Sequence, residues 1–419
     1  MLKKINNMLI RALLFLSIPA LMSGEGLKSL IEYASKNNEL VVSKNLSNLS
    51  KEQEVKSSKN SYYPTLDIGA FYQRYDEASP IMPGTTYSGY AKVSLDIYSG
   101  GKKSYTLKQK KEEHLASAYE YESIKKNTQL AIVQNFYAIK NLQATLKAYQ
   151  DSAVAVQAQL DRMKKFLDAK LATSDDVDRL QSAYDKNIYS IESIKFEIIS
   201  LKKALEIKVG KKIDTLDSSE FVKTDISDAD ELDYIKALRA TKNSIVNASE
   251  VVDSYYYPQI KLEDTYSIYG YADEPTAFPI EQLDNQNKLM LTLNMRVFDF
   301  GVLSQAKRSI ELNAQAVDKQ ISYQSKEQKM NQELALYRIQ TAKLNIKSSQ
   351  SALKAASSAL ETITQKYNSG IVDNVVYLDA LSSQTEAKAL YESSLNNLEV
   401  AYALYYFYNA KKLEEFLND

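Results

Sequence analysis

The stretch NSYYPTLDIG, Asn60–Gly69, has a near copy in DSYYYPQIKL, Asp253–Leu262. The whole chain holds only seven prolines, yet two of them follow a Ser-Tyr-Tyr run. Outside the N-terminal Pro19, the prolines form two clusters: Pro64, Pro80 and Pro83, then Pro258, Pro275 and Pro279. Proline removes a backbone donor and breaks a helix, so the clusters mark two non-helical islands. Within them the side chains alternate. Leu66, Ile68, Ala70 and Tyr72 interleave with Thr65, Asp67, Gly69 and Gln73, with Phe71 a misfit. Ala91, Val93, Leu95 and Ile97 interleave with Lys92, Ser94 and Asp96. The second island repeats the pattern from Ile260 to Ile268 and from Leu289 to Val297, broken by Asp264 and Met290. A period of two with one apolar and one polar face is the mark of a strand. Two strand pairs are expected, at about 64–98 and 258–300, each joined by a turn-rich loop.

The remainder reads as helix. Lys103–Leu167 and Val302–Ser369 contain neither Pro nor Gly. Each run of about 65 residues would extend roughly 100 Å as one helix. Val177, Leu180, Tyr184, Asn187, Ile191, Ile194 and Ile198 step by three and four, as do Leu353, Ala356, Leu360, Ile363 and Tyr367. That spacing describes a coiled-coil seam. The halves align at an offset near 200: Gly101 with Gly301, Tyr137 with Tyr337, and Phe166–Ala183 with Lys366–Ser383. The chain therefore reads as an internal duplication, with a first repeat over 24–208, a linker over 209–232 and a second repeat over 233–419. Lys3, Lys4 and Arg11 ahead of ALLFLSIPALM read as a secretory leader over residues 1–23.

Composition narrows the function. A net charge of -1 argues against a nucleic-acid partner. With no Cys and one His, His114, thiolate chemistry is excluded and His-based metal or acid–base sites lose their main donor. No phosphate loop or triad spacing is present, so no enzyme activity and no cofactor are expected. Strands of about ten to fourteen residues cross a bilayer when tilted. Four cannot close a barrel, and lipid does not tolerate open edges. Three chains would supply twelve, an even number within the known barrel range. Tyr62, Tyr63, Tyr98, Tyr255, Tyr256 and Tyr257 flank the strands, as interfacial aromatics do. The alternative is a soluble hairpin capping a coiled coil.

The duplication, SYYP before a strand, DIYSGGKK and FDFGVLSQA leading into long helices, and KYNSGIVDNVVYLDA together resemble the TolC-type outer-membrane efflux proteins over essentially the whole mature chain. The resemblance implies a mainly α fold with a transmembrane β portion. Internally duplicated, antiparallel coiled-coil helices would form an α-barrel tunnel in the periplasm. Four strands per chain would complete a 12-stranded β-barrel in a homotrimer, embedded in outer-membrane lipid. It further implies a periplasmic adaptor (membrane fusion) protein, an inner-membrane transporter of RND or ABC type, and small-molecule efflux. Type I protein secretion is the alternative cargo, and a periplasmic coiled-coil adaptor or scaffold is the rival of another class. Carried over by position, Tyr367 and Asp176 match a tip tyrosine and its aspartate partner, and Asp379 matches an entrance-ring aspartate. Val372 and Val376 stand where an arginine and a second ring aspartate are expected. The residues also have plainer readings: Asp176 as a helix cap beside Thr173, Tyr367 as seam packing, Asp379 as a solvated helix position. Phe298, in FDFG, joins the tyrosines as an interface aromatic.

Overall fold

The computed structural model describes residues 25–76, 81–226, 228–273 and 281–418. The leader expected over 1–23, together with Pro80, Pro275 and Pro279, lies outside the described residues. Two short helices, α1 (Leu27–Asn37) and α2 (Glu39–Asn60), lead to β1 (Thr65–Arg74) and β2 (Thr85–Ser99). Then come α3 (Lys102–Asp168) and α4 (Ser174–Val209), and a two-residue strand β3 (Glu220–Phe221). The same order follows again: α5 (Asp233–Asp253), β4 (Gln259–Ala272), β5 (Asn285–Asn294), α6 (Val302–Asn368) and α7 (Asn374–Tyr408). A final strand β6 (Leu417–Asn418) pairs with β3. Helices α3 and α6 both run 67 residues, roughly 100 Å each.

The long strands form one antiparallel sheet in the order β1-β2-β4-β5. Paired residues of an antiparallel ladder share a face, so the register sorts the side chains. One face carries Leu66 opposite Val93, Ile68 opposite Ala91, and Leu262 between Leu95 and Leu291. The other carries Asp67 opposite Lys92, and Lys261 between Asp96 and Thr292. The misfits find places: Phe71 and Met290 fall on the polar face, and Asp264 falls on the apolar one, between Val93 and Leu289. Nothing among the described residues covers the apolar face. Ile68 is 82% exposed and Leu289 70%, a pattern that water penalises and lipid rewards. The second strand pair is shorter than expected. Strand β5 ends at Asn294, paired with Gln259, rather than continuing towards 300, because the preceding Pro258 has no N–H to extend the ladder.

The helices continue the sheet's order. On the strand side of the molecule α2 packs on α3, α3 on α5 and α5 on α6; on the far side α4 packs on α3, α3 on α7 and α7 on α6. At the middle, where the two halves meet, lies the largest apolar cluster. It joins Leu27 and Ile31 of α1, Ile132 and Phe136 of α3, Leu205 of α4, and Tyr402 and Tyr406 of α7. The linker is fastened there. Glu399, nearly buried, accepts the Phe221 N–H at 2.7 Å and pairs with Lys223 at 3.1 Å. The Tyr406 hydroxyl donates to the Val222 carbonyl and accepts the Thr224 N–H at 3.1 Å, while its ring stacks on Phe416 at 4.1 Å. Burial pushes the Tyr406 phenol's pKa up, so it stays a donor.

The chain turns from β2 into α3 at Gly100, whose φ is +64°. A Cβ there would lie 2.4 Å from the Ser254 carbonyl oxygen. Gly370 shares the left-handed conformation, with φ +72°, but has open space around its Cβ position. Gly370→Ala should cost about 1 kcal/mol, the backbone term alone. Gly100→Ala should cost more than about 2 kcal/mol, because a backbone oxygen must also move. Thermal unfolding of both variants measures the difference, and equal shifts would show that the junction relaxes freely.

Candidate functional site

Two regions hold the residues singled out in the sequence: the helical tips, and the junction between strands and helices. At the first tip α3 gives way to α4 through Ala169–Thr173, and at the second α6 gives way to α7 through Ser369–Asp373. Both turns close alike. The N–H of Leu171 bonds the Phe166 carbonyl at 2.8 Å, and that of Ile371 bonds the Lys366 carbonyl at 2.9 Å. These bonds satisfy helix-end carbonyls that would otherwise lack partners.

Asp176 serves two purposes. Its carboxylate accepts the Thr173 N–H at 3.2 Å and the Thr173 hydroxyl at 2.7 Å, while the Thr173 hydroxyl oxygen accepts the Asp176 N–H at 3.3 Å. This is a reciprocal capping box, with an acid in the favourable first turn. Its other oxygen accepts from Asn374 Nδ2 at 3.2 Å, and its backbone carbonyl accepts from the same nitrogen at 3.1 Å. Asn374 is the first residue of α7, so Asp176 ties the second hairpin to the first. A second tie runs the other way, from the Arg162 guanidinium of α3 to the side-chain oxygen of Asn368 and, at 3.4 Å, to its carbonyl.

Tyr367 does not bond Asp176. Its ring stacks on Tyr377 at 5.0 Å, and its hydroxyl is buried with no hydrogen-bond partner among the described residues. Burial raises its pKa; Arg162 works against that rise and the nearby Asp176 charge adds to it. Tyr377 is likewise pushed up, chiefly by burial. Val372 packs against this cluster, while Val376 and Asp379 are exposed. Where Val372 replaces an expected arginine, Arg162 brings a guanidinium to the tip from another helix. The sequence reading singled out Asp176, Tyr367 and Asp379 but missed Arg162, Asn368, Asn374 and Tyr377. Asn374 follows the capping Asp373 at the start of α7, and neither it nor Arg162 carries a local sign of its contact.

At the junction, Tyr62, Tyr63, Tyr98, Tyr257 and Phe298 are exposed and Tyr255 is half-buried. Lys102 Nζ lies 4.7 Å over the Tyr255 ring, and Lys103 Nζ lies 5.8 Å over Tyr62. Tyr256 differs from its neighbours. Its hydroxyl donates to Asp299 at 3.0 Å, and Asp299 also accepts the N–H groups of Gly301 and Leu303 at 3.0 Å each. Asp299 thus satisfies the start of α6, and Tyr256 fastens the end of α5 to it. In the first half Ser99, at the matching position, accepts the Lys103 N–H at 3.2 Å.

A sheet with a bare apolar face, an aromatic-rich junction and a long helical body make a mainly α chain with a β portion suited to lipid. Solved structures share that fold. A membrane protein from Pseudomonas aeruginosa superposes with a TM-score of 0.81 at 14% identity, covering 91% of this chain and 93% of its own. The outer membrane protein VceC of Vibrio cholerae gives 0.78 at 14% identity over 92% and 96%. The CmeC outer membrane channel of Campylobacter jejuni gives 0.81 at 14% over 93% and 86%. No curated protein matches the sequence. The outer membrane efflux protein family model matches residues 30–187.

Asn374→Ala should remove both bonds to Asp176 and leave the capping box intact. A net loss of about 1 kcal/mol of local protection corresponds to about fivefold faster amide exchange in the first turn of α4. Hydrogen–deuterium exchange reads this directly. Unchanged exchange would mean that the hairpin tips are held by packing of Tyr367 on Tyr377.

Proposed function

We propose that three copies of this chain form the exit duct of a tripartite efflux pump. Small molecules, delivered by an inner-membrane transporter through a periplasmic adaptor, would leave through it in one step. The observation that carries the reading is the four-stranded sheet with unpaired outer edges, β1 and β5, and an uncovered apolar face. In lipid those edges need partners. Two chains would give an eight-stranded barrel, whose interior side chains fill; three give twelve strands and room for a lumen.

The helical edges support the same closure. On one side α4 exposes Tyr189, Phe196 and Ile207, each more than 70% exposed. On the opposite side α6 exposes Tyr323, Tyr337 and Leu344, each more than 60% exposed. These strips are different surfaces, so their contact is head-to-tail and closes into a ring. The tips would form the periplasmic entrance. Asp176 and Tyr367 hold each protomer's hairpins, and exposed Asp379 contributes one carboxylate per chain to a ring that favours cations. The same duct carrying proteins for type I secretion is the alternative. Whether an RND or an ABC transporter is captured with the duct decides between them.

Density separation of the membranes should recover the protein in the outer membrane as a heat-modifiable trimer; recovery in the inner membrane or as a soluble protein would refute the reading. Tyr337→Asp combined with Leu344→Asp should abolish the trimer in detergent extracts while the helical circular dichroism persists. For the entrance, Asp379→Ala should weaken block by multivalent cations in single-channel recordings, and unaltered block would remove Asp379 from the ring.

A further inference from the structure

The polar face of the sheet is divided into two zones. Its rows nearest the helices hold all six charged residues of that face within the ladder: Asp96 and Lys261, Glu263, then Asp67, Lys92 and Lys288. Three are acids and three are bases, and several are linked. Glu263 lies 2.9 Å from Lys261 and 3.8 Å from Lys92, and Asp96 lies 2.9 Å from Lys103 at the head of α3. The zone therefore carries little net charge.

The ladder rows farther out carry no charged residue, although Asp284, just ahead of β5, accepts the Tyr269 N–H on its carbonyl at 2.9 Å and adds an acid beside them. There Tyr90 lies opposite Gly69, Phe71 opposite Ser88, and Tyr269 and Tyr271 opposite Ser88 and Thr86. Aromatic rings on a wet face gain little from folding, and Phe71 is 43% exposed. Yet the rings are held. The Tyr90 ring covers Gly69 so closely that a Cβ on Gly69 would meet its hydroxyl at 2.5 Å. It is thus laid along the wall with a face outward. The Tyr269 and Tyr271 rings lie nearly parallel, 14° apart with centroids at 6.3 Å. The Tyr271 hydroxyl is anchored on the Leu283 carbonyl at 2.9 Å.

We propose that Phe71, Tyr90, Tyr269 and Tyr271 form an aromatic selectivity zone in the outer half of the lumen, which takes planar organic cations by stacking on the wall. The inference rests on the duct reading and adds the chemical class of cargo to it. Ring faces are electronegative and attract cations, most strongly where no competing charge is near. The balanced, ion-paired zone beneath gives anions no compensating attraction. Flat cations would therefore pause longest in the outer half of the pore, cations without a π-face less, and anions least.

The test uses the full-length protein in a planar lipid bilayer, with probes added from the barrel side. Ethidium should block the current at lower concentration than tetraethylammonium, which has the same charge and no ring, and lower than naphthalenesulfonate, which has rings and the opposite charge. Tyr269→Ser with Tyr271→Ser should weaken ethidium block about tenfold and weaken tetraethylammonium block much less, because that ion keeps a cation–π attraction but cannot stack. Tyr269→Phe with Tyr271→Phe should preserve it, since the ring and not the hydroxyl makes the contact. Conducting pores that respond equally to all three probes, or a serine variant that keeps full ethidium block, would overturn the inference and leave the duct reading standing. Absence of any conducting pore would overturn both.

Discussion

An open sheet cannot exist in lipid, and the architecture follows from that constraint. Each strand edge carries a row of N–H and C=O groups, and no water is present in the bilayer to receive them. Strands β1 and β5 leave such rows on the two sides of the protomer. The pairing that removes them must come from another chain. The same head-to-tail closure must then run down the helical wall, because α2-α3-α5-α6 continues the order β1-β2-β4-β5. The exposed apolar strips on α4 and α6 would be the lower part of that seam.

Between membrane and tip, the structure concentrates its apolar packing in one belt. The helices on either side are thin walls with modest burial, whereas the belt gathers α1, α3, α4, α7 and the linker around Phe136 and Tyr406. The charged residues there are engaged rather than idle. Asp233, nearly buried, meets Lys126 at 2.6 Å, and Lys140 donates to the Leu216 carbonyl at 2.8 Å with its pKa drawn down by burial. A belt fastened in this way lets the far ends differ in character. The strand end is committed to lipid, and the tip is joined by a few polar contacts around Asp176, Asn374, Arg162 and Asn368.

Much of the fold was legible in the sequence because two periods were clean. Alternation gave four strands, and long runs without Pro or Gly gave α3 and α6. Boundaries failed where pairing mattered: the apolar residues Met295 and Val297 keep the strand rhythm, but no partner N–H is available beyond Gln259, so β5 stops at Asn294. At the tip the sequence singled out Asp176 and Tyr367, but not their contacts: Asp176 holds Asn374, and Tyr367 stacks on Tyr377. The first pair lies 198 positions apart and leaves no local pattern. At the junction all the tyrosines looked alike, yet Tyr256 is a fastening to Asp299 while Tyr63 and Tyr257 are exposed.

By itself, then, the sequence determined the repeat, the element types, the two-faced strands, and a composition with no Cys and one His. Those are local properties, written in spacing and residue type. Only the tertiary structure decided which strand stands beside which, that Asp264 falls on the apolar face and Phe71 on the polar one, and that charge and aromatic rings occupy separate zones of the polar face. The physical reason is register. A strand's alternation says that two faces exist, but which residues of distant strands share a level is set by the ladder that joins β2 to β4, across the duplication.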